Sequence, residues 1–373
     1  ANPPLRSFTM VATGDIIAHT AVNSRAFANG SKLSYDYRPM FSEVQSIIAG
    51  ADLAICHLEG PIAPPGKAYA GQPIFSSPPD IVQSIKDVGY DRCSTATNHT
   101  NDKGFPGVTA TIDTFEKAGL GWSGTARTAT EAVAPIFEVN GVKVVHLAYT
   151  YPMGGLLKRL KAEPWRINVI DVDKILADAA DARTRGAEVV IVSFHWGSEY
   201  FPRITKEQRR VADLLTKSGL IDLIIGSHAH LMQPIEQVNG KWVVFGMGNF
   251  LSNQRSGTTG YAATQDGAIF EFTITEQEGG GFTVARPTVV PTWVMNCACR
   301  NASYQVMITS QHLTDPALTP FLRKQVNQSW LRVTALFRDF YADDAFPACL
   351  LRPPEGWDPA ARVVPVPLAL EPK

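Results

Sequence analysis

Apolar and polar positions along the chain follow two alternating rhythms. Short apolar, β-branched runs stop at glycine, asparagine or histidine. Between them lie stretches with apolar residues three and four apart. SFTMVAT (7–13), DLAICHLE (52–59), YDRCSTATNH (90–99), AEVVIVSFH (187–195), IDLIIGSH (221–228) and WVVFGMGNF (242–250) are of the first kind and predict strands. PMFSEVQSIIAGA (39–51), DIVQSIKDVG (80–89), GVTATIDTFEKAGL (107–120), VDKILADAADARTRG (172–186) and KEQRRVADLLTKSG (206–219) predict helices, with Gly89 as a stop signal. Such alternation predicts an α/β fold. Two hairpins interrupt it. One lies at 135–150 and turns at Asn140-Gly141; the other, at 267–290, has a glycine-rich tip. A further helix is expected over 318–340, before a proline-rich end.

The chain has 373 residues, 45% of them hydrophobic and 18% charged, which suffices for a large core. A net charge of -1 gives no basis for a nucleic-acid partner or bulk membrane-surface binding. No apolar run approaches the roughly 20 residues of a membrane span. Residues 1–295 are expected to form the main domain and 296–373 an extension packed on it. The five cysteines are odd in number, and Cys56 and Cys93 lie in apolar runs, where free buried thiols are expected. With no leader-like N-terminus, the expectation is a cytoplasmic protein with reduced thiols. A secreted or cell-surface protein is the alternative if a signal peptide has been removed.

The chemistry-bearing residues cluster where the predicted strands end. Asp15 follows the first strand, and His57 and Glu59 close the second. Asn98 and His99 follow the third, His195 ends the fourth, and His228 and His230 follow the fifth. Ligands of open α/β sheets gather at such carboxyl ends. Imidazole with carboxylate suits a borderline divalent ion, and an amide oxygen adds a neutral ligand. A lone histidine at a strand end is usually a hydrogen-bonder. It is the joint pattern that predicts a metal centre, holding Mn, Zn, Fe or, through oxygen-rich coordination, Ca.

Six segments sharpen this reading: Gly14-Asp15, Leu58-Glu59, Asn98-His99 with Asp102 and Gly104, His195-Trp196-Gly197 with Glu199, Gly226-Ser227-His228-Ala229-His230, and Gly246-Met247-Gly248-Asn249-Phe250. In this order, over about residues 7–290, the sequence resembles the CapA (poly-γ-glutamate capsule synthesis) family, a branch of the calcineurin-like metallophosphoesterases. The resemblance implies a calcineurin-like metallophosphoesterase sandwich of two mixed β-sheets flanked by helices. It also implies metal ligands Glu59, Asn98, His195 and His228 at one position, and Asp15 and His230 at another.

There are departures. Ile17 stands where such enzymes carry the histidine of their opening Asp-x-His, Glu59 stands near the usual bridging aspartate, and His57 replaces an asparagine. Phosphoryl transfer by two metals needs both ions as a clamp, so these changes speak against phosphoesterase activity. They leave two His/Asp pairs, His99 with Asp102 and His230 with Asp15, as acid and base groups around a metal. Two bases with a stabilising cation can invert a Cα centre. The chain is also similar to CapA-like members that epimerise the C-terminal residue of lasso peptides.

The expected function is therefore a metal-dependent peptide epimerase. The alternatives are a hydrolase or transferase of poly-γ-glutamate or cell-wall peptide, or a metallophosphoesterase. Either way the expected partner is a peptide or glutamyl polymer. Trp196, Tyr200, Phe201, Phe250 and Trp293 are candidates for an aromatic wall, and Arg203 or Arg255 for a carboxylate clamp.

Overall fold

A computed structural model describes residues 4–152, 155–297 and 302–337. The strands, in chain order, are β1 (Ser7–Ile17), β2 (Leu53–Glu59), β3 (Arg92–Ser94), β4 (Gly121–Ser123), β5 (Ile136–Val139), β6 (Val142–Thr150), β7 (Val189–His195), β8 (Leu223–Ser227), β9 (Ile235–Val238), β10 (Lys241–Val244), β11 (Asn249–Leu251), β12 (Asp266–Glu276), β13 (Phe282–Val284), β14 (Thr288–Val294) and β15 (Val306–Ile308). They form two mixed sheets. One runs β15-β14-β12-β1-β2-β3-β4, with β11 also on β1 and β13 on β12; the other runs β5-β6-β7-β8-β10-β9. The fold is the expected α/β sandwich of two mixed sheets flanked by helices.

Period-two alternation within the strands builds the layers. Met10 and Ala12 of β1, Leu53 and Ile55 of β2, Val189 and Ile191 of β7 and Leu223 and Ile225 of β8 share the core between the sheets. Val11 of β1 and Ala54 and Cys56 of β2 face outward, against helices Asp80–Val88 and Gly104–Ala118. Val190 and Val192 of β7 and Ile224 of β8 face outward against helices Val172–Thr184 and Lys206–Lys217. Those two helices are capped at their starts by Asp171 and by a Thr205/Gln208 capping box. On β2 and β7 the inward face continues past the apolar positions to His57, Glu59 and His195. The site therefore lies at the mouth of the gap between the sheets.

β1 reaches that mouth through a bulge. Ala12 pairs with Ile55, but the next paired position is Asp15 with His57, so β1 carries an extra residue. The slip turns Asp15 to the inward face and Ile16 to the outer core. Gly14 is required here, because a Cβ on it would lie 1.9 Å from Gly248 O.

The 135–150 hairpin forms as read, with Asn140 and Gly141 at φ 48° and 74°. Other segments differ. The expected helix at 39–51 is a 3-10 turn, Arg38–Phe41, followed by a short helix, Gln45–Gly50. The single strand expected at 242–250 is two strands in different sheets, β10 and β11, because the Gly246–Gly248 segment carries the chain across. Helix Thr20–Asn29 was not anticipated; its N-cap, His19, makes no side-chain cap.

Cys56 and Cys93 are not free thiols. They are directly paired on β2 and β3 and joined as a disulfide, with Cα atoms 4.4 Å apart. Cys297 is also disulfide-bonded. Helix Pro320–Phe337 packs Trp330 against Trp293, so the described part of the extension joins the sheet and its flank. The remainder of 318–340 and the proline-rich end lie outside the described residues.

Candidate metal centre

The residues singled out at the strand ends converge. Asp15, His57, Glu59, His195, His228 and His230 are all at most 3% exposed. Asp15 faces two ways, with Oδ1 3.6 Å from His57 Nε2 and Oδ2 3.3 Å from His230 Nδ1. His195 holds two neighbours, its Nδ1 2.9 Å from His57 Nε2 and its Nε2 3.1 Å from Asn98 Oδ1. Asn98 lies in a turn tied by Thr100, whose hydroxyl accepts from Thr97 N and donates to Thr95 O. From the same turn, His99 Nδ1 bonds Asp102 Oδ2 at 2.8 Å. Glu59 Oε1 lies between two imidazoles, 3.9 Å from His99 Nε2 and 3.9 Å from His230 Nε2.

Among the described residues, ligand-type atoms lie within 4.8 Å of one another in three groups: Asp15 with His57 and His195, Asp15 with Glu59 and His230, and Glu199 with His228 and His230. Asp15 is common to two of these groups, as a bridging carboxylate would be. His57, which stands where the resembled enzymes carry an asparagine, is a ligand candidate beyond the set that the resemblance implies. Its position opposite Asp15 depends on the bulge, which only the register reveals. Asn249 is a second omission, with Oδ1 3.1 Å from His230 Nδ1. Tyr151 is a third, its ring 4.7 Å from that of His228.

The chemistry of the cluster suits a cation. Glu59 Oε2 and His228 Nδ1 are buried without a hydrogen-bond partner, although buried polar atoms are normally paired. Burial and the nearby histidines drive His195 well below the usual histidine range. Burial, aided by His230, takes His228 to about 3. Burial takes His57 to about 4 against the pull of Asp15. Neutral imidazoles with free lone pairs are what a metal takes. Burial raises Glu59 to about 7 against the attraction of His230. For His230, burial is outweighed by Glu59 and Asp15, and the ring rises to about 9. Burial would raise Asp15, but the His230 hydrogen bond and the charges around it hold it below the ordinary carboxylate value. For His99, burial is outweighed by Asp102 and Glu59, and its pKa is raised.

Most of the expected aromatic wall is core. Trp196 stacks on Phe194 and Phe245, Phe250 on Phe41, and Trp293 is 2% exposed. Tyr200 does border the site, 5.8 Å from the His230 ring. Arg255 bonds Asn253, and Arg203 lies over Phe201.

A buried cluster of histidines and carboxylates at the mouth of a two-sheet α/β sandwich defines a candidate metal-dependent protein. Residues 9–254 match the family described as bacterial capsule synthesis protein PGA_cap, and the chain belongs to it. It is 28% identical over 250 residues to the PGA biosynthesis protein CapA of Bacillus subtilis (strain 168), covering 66% of this chain and 63% of that protein. It is 26% identical over 271 residues to the capsule biosynthesis protein CapA of Bacillus anthracis, covering 71% of this chain and 63% of that protein. The chain thus matches less than two thirds of the length of either relative. Among solved structures, the calcineurin-like phosphoesterase YfkN of Bacillus subtilis is similar, with a TM-score of 0.49 and 17% identity over 90% of this chain and 100% of that one. A likeness of that size carries nothing about substrate or reaction.

Proposed function

We propose that this protein is a metal-dependent acid/base enzyme that inverts a Cα centre in a peptide. One observation carries the reading. His99 and His230 present their Nε2 atoms at 3.9 Å to the same Glu59 oxygen, and each is backed at Nδ1 by a carboxylate, Asp102 at 2.8 Å and Asp15 at 3.3 Å. A carboxylate behind an imidazole fixes its tautomer and strengthens it as a base. One imidazole takes the α-proton, leaving the electron pair on carbon. The other returns a proton to the opposite face, so composition is unchanged and the centre is inverted. A divalent cation held by Asp15, His57 and His195, whose ligand-type atoms lie within 4.8 Å of one another, would supply a positive field for charge developing on the neighbouring carbonyl.

Family membership favours a second reading, a hydrolase or transferase acting on a γ-glutamyl chain in capsule synthesis. Phosphoester cleavage is the third. The Cys56–Cys93 bond supports the secreted or cell-surface alternative for location, since disulfides persist in oxidising compartments. The test is incubation of the metal-loaded protein with candidate peptides in heavy water. The proposed reaction places deuterium at one Cα with inversion, and His99→Ala or His230→Ala abolishes the inversion. Metal-dependent cleavage of a γ-glutamyl bond or phosphodiester without α-proton exchange would overturn it.

A further inference from the structure

Two segments that build the metal centre run straight into a cavity of about 710 Å³. His19 and Thr20, just beyond Asp15, line it, and so does Asn253, four residues beyond Asn249. Four extended residues span at most about 14 Å, so the cavity lies within that reach of Asp15 and Asn249, both of which contact His230. The contacts are continuous: the His19 ring is 5.5 Å from Phe75, and Phe75 is 4.6 Å from His99. Asn253 N donates to His19 Nδ1 at 3.2 Å.

Of the described residues in the cavity wall, one is a cation, Arg25, and the others are neutral. Helix Thr20–Asn29 turns one face to it, with Thr20, Ser24 and Arg25 among small residues. Among the described residues no aspartate or glutamate lines it. Arg25 Nε is buried and has no hydrogen-bond partner. His19 and Thr20 at the start of the helix line the cavity, and its first turn has no acidic residue and no side-chain cap. Arg25 lines the cavity and forms no ion pair among the described residues, so its guanidinium is available to a carboxylate.

We propose that this cavity is a carboxylate subsite, in which Arg25 anchors a carboxylate of a peptide or γ-glutamyl chain whose reacting centre lies between His99 and His230. The inference rests on the proposed function for the position of the reacting centre. It replaces Arg203 and Arg255 as clamp by a residue not singled out in the sequence. The carboxylate has two sources, the chain's C-terminal α-carboxylate or the pendant carboxylates of a γ-glutamyl polymer.

Calorimetric titration separates them. The metal-loaded protein is titrated with a γ-glutamyl pentamer, an α-peptide acid and the C-terminal amide of that peptide. Arg25→Gln should weaken the preferred carboxylate probe about tenfold, the loss of one charge-assisted contact. Metal content and melting temperature should be unchanged, and Arg25→Lys should recover part of the affinity. If amidating the peptide reproduces the Arg25→Gln loss, the terminal carboxylate is the anchor. If only the pentamer responds to Arg25, the pendant groups are. Equal binding by Arg25→Gln and the unaltered protein, or no binding of any carboxylate probe, overturns the subsite. Weakened binding without α-proton exchange would remove the epimerase reading and leave the subsite standing. Exchange with unaltered Arg25→Gln binding would do the reverse.

Discussion

Replacing Gly14 with alanine tests whether the bulge in β1 sets the metal centre. A Cβ there would lie 1.9 Å from Gly248 O and 3.0 Å from Gly248 C, both backbone atoms. Neither is the end of a side chain that can swing away, so β1 or the 247–248 segment must shift by about 1 Å. Gly248 O also accepts the Asp15 N–H at 3.0 Å, so the same shift strains the bond that seats Asp15. Overpacking of a rigid interior costs about 1–3 kcal/mol, and contact with backbone belongs at the upper end. For a domain of this size that is a fall in melting temperature of roughly 5 °C. Moving Asp15 also spoils its two-sided approach to His57 and His230, so metal content should fall as well. Scanning calorimetry with elemental analysis of Gly14→Ala reads both. A variant with unaltered melting temperature and full metal would refute the reasoning, because the bulge would then not constrain Asp15.

Other expectations follow from the same geometry. His195→Ala should lose stoichiometric metal and the melting-temperature gain that metal gives; undiminished metal content would remove His195 from the ligand set. Replacing Cys56 and Cys93 together by serine opens a link across 37 residues, at a loop-entropy cost of about 4 kcal/mol. A non-reducing peptide map should show the two cysteines linked, and two reactive thiols there would contradict the pairing. His312 has a raised pKa, chiefly from its hydrogen bond to Glu43 and then from Asp315. Its stabilising effect is therefore complete below the ordinary histidine pKa and is lost as pH rises through the raised folded value. The melting-temperature gap between the unaltered protein and His312→Gln should shrink across that rise; a gap that widens would reverse the sign.

What the sequence made legible was the direction of each strand's exit. Runs such as AEVVIVSFH carry inward and outward positions at period two, so His195 could be placed on a strand end before its partners were visible. Asn140-Gly141 and Gly89 could be read because backbone conformation there is nearly residue-specific. The 242–250 run misled because its apolar residues are continuous across a change of sheet. Helix Thr20–Asn29 was obscured by weak amphipathicity and the lack of a cap, and with it went Arg25 and the cavity. His57 was obscured by register, since only the extra residue in β1 brings Asp15 opposite it. The cysteine pair was missed for a related reason: adjacency across parallel strands separates the partners by 37 residues.

The two histidines of Ser227-His228-Ala229-His230 show where spacing and geometry part. In a flat strand, residues two apart share a face. Here His228 and His230 both have positive φ, 95° and 54°, so the chain curls. The curl aims His228 N at Asp15, 3.4 Å from each carboxylate oxygen, and sets the His228 ring 4.4 Å from that of His195. Left-handed backbone at a residue with a Cβ costs about 1–2 kcal/mol, held here by the surrounding site. This makes an unusual prediction for two variants that both lack the ring. Glycine is ordinarily less stable than alanine by roughly 0.5–1 kcal/mol. At position 228 the order should invert, with His228→Gly more stable than His228→Ala by about 1 kcal/mol in chelator. Denaturant unfolding of the two variants, neither of which retains the imidazole, isolates the backbone term. If His228→Ala proves the more stable, the positive φ is not a constraint the site imposes, and the curl relaxes once the ring is gone.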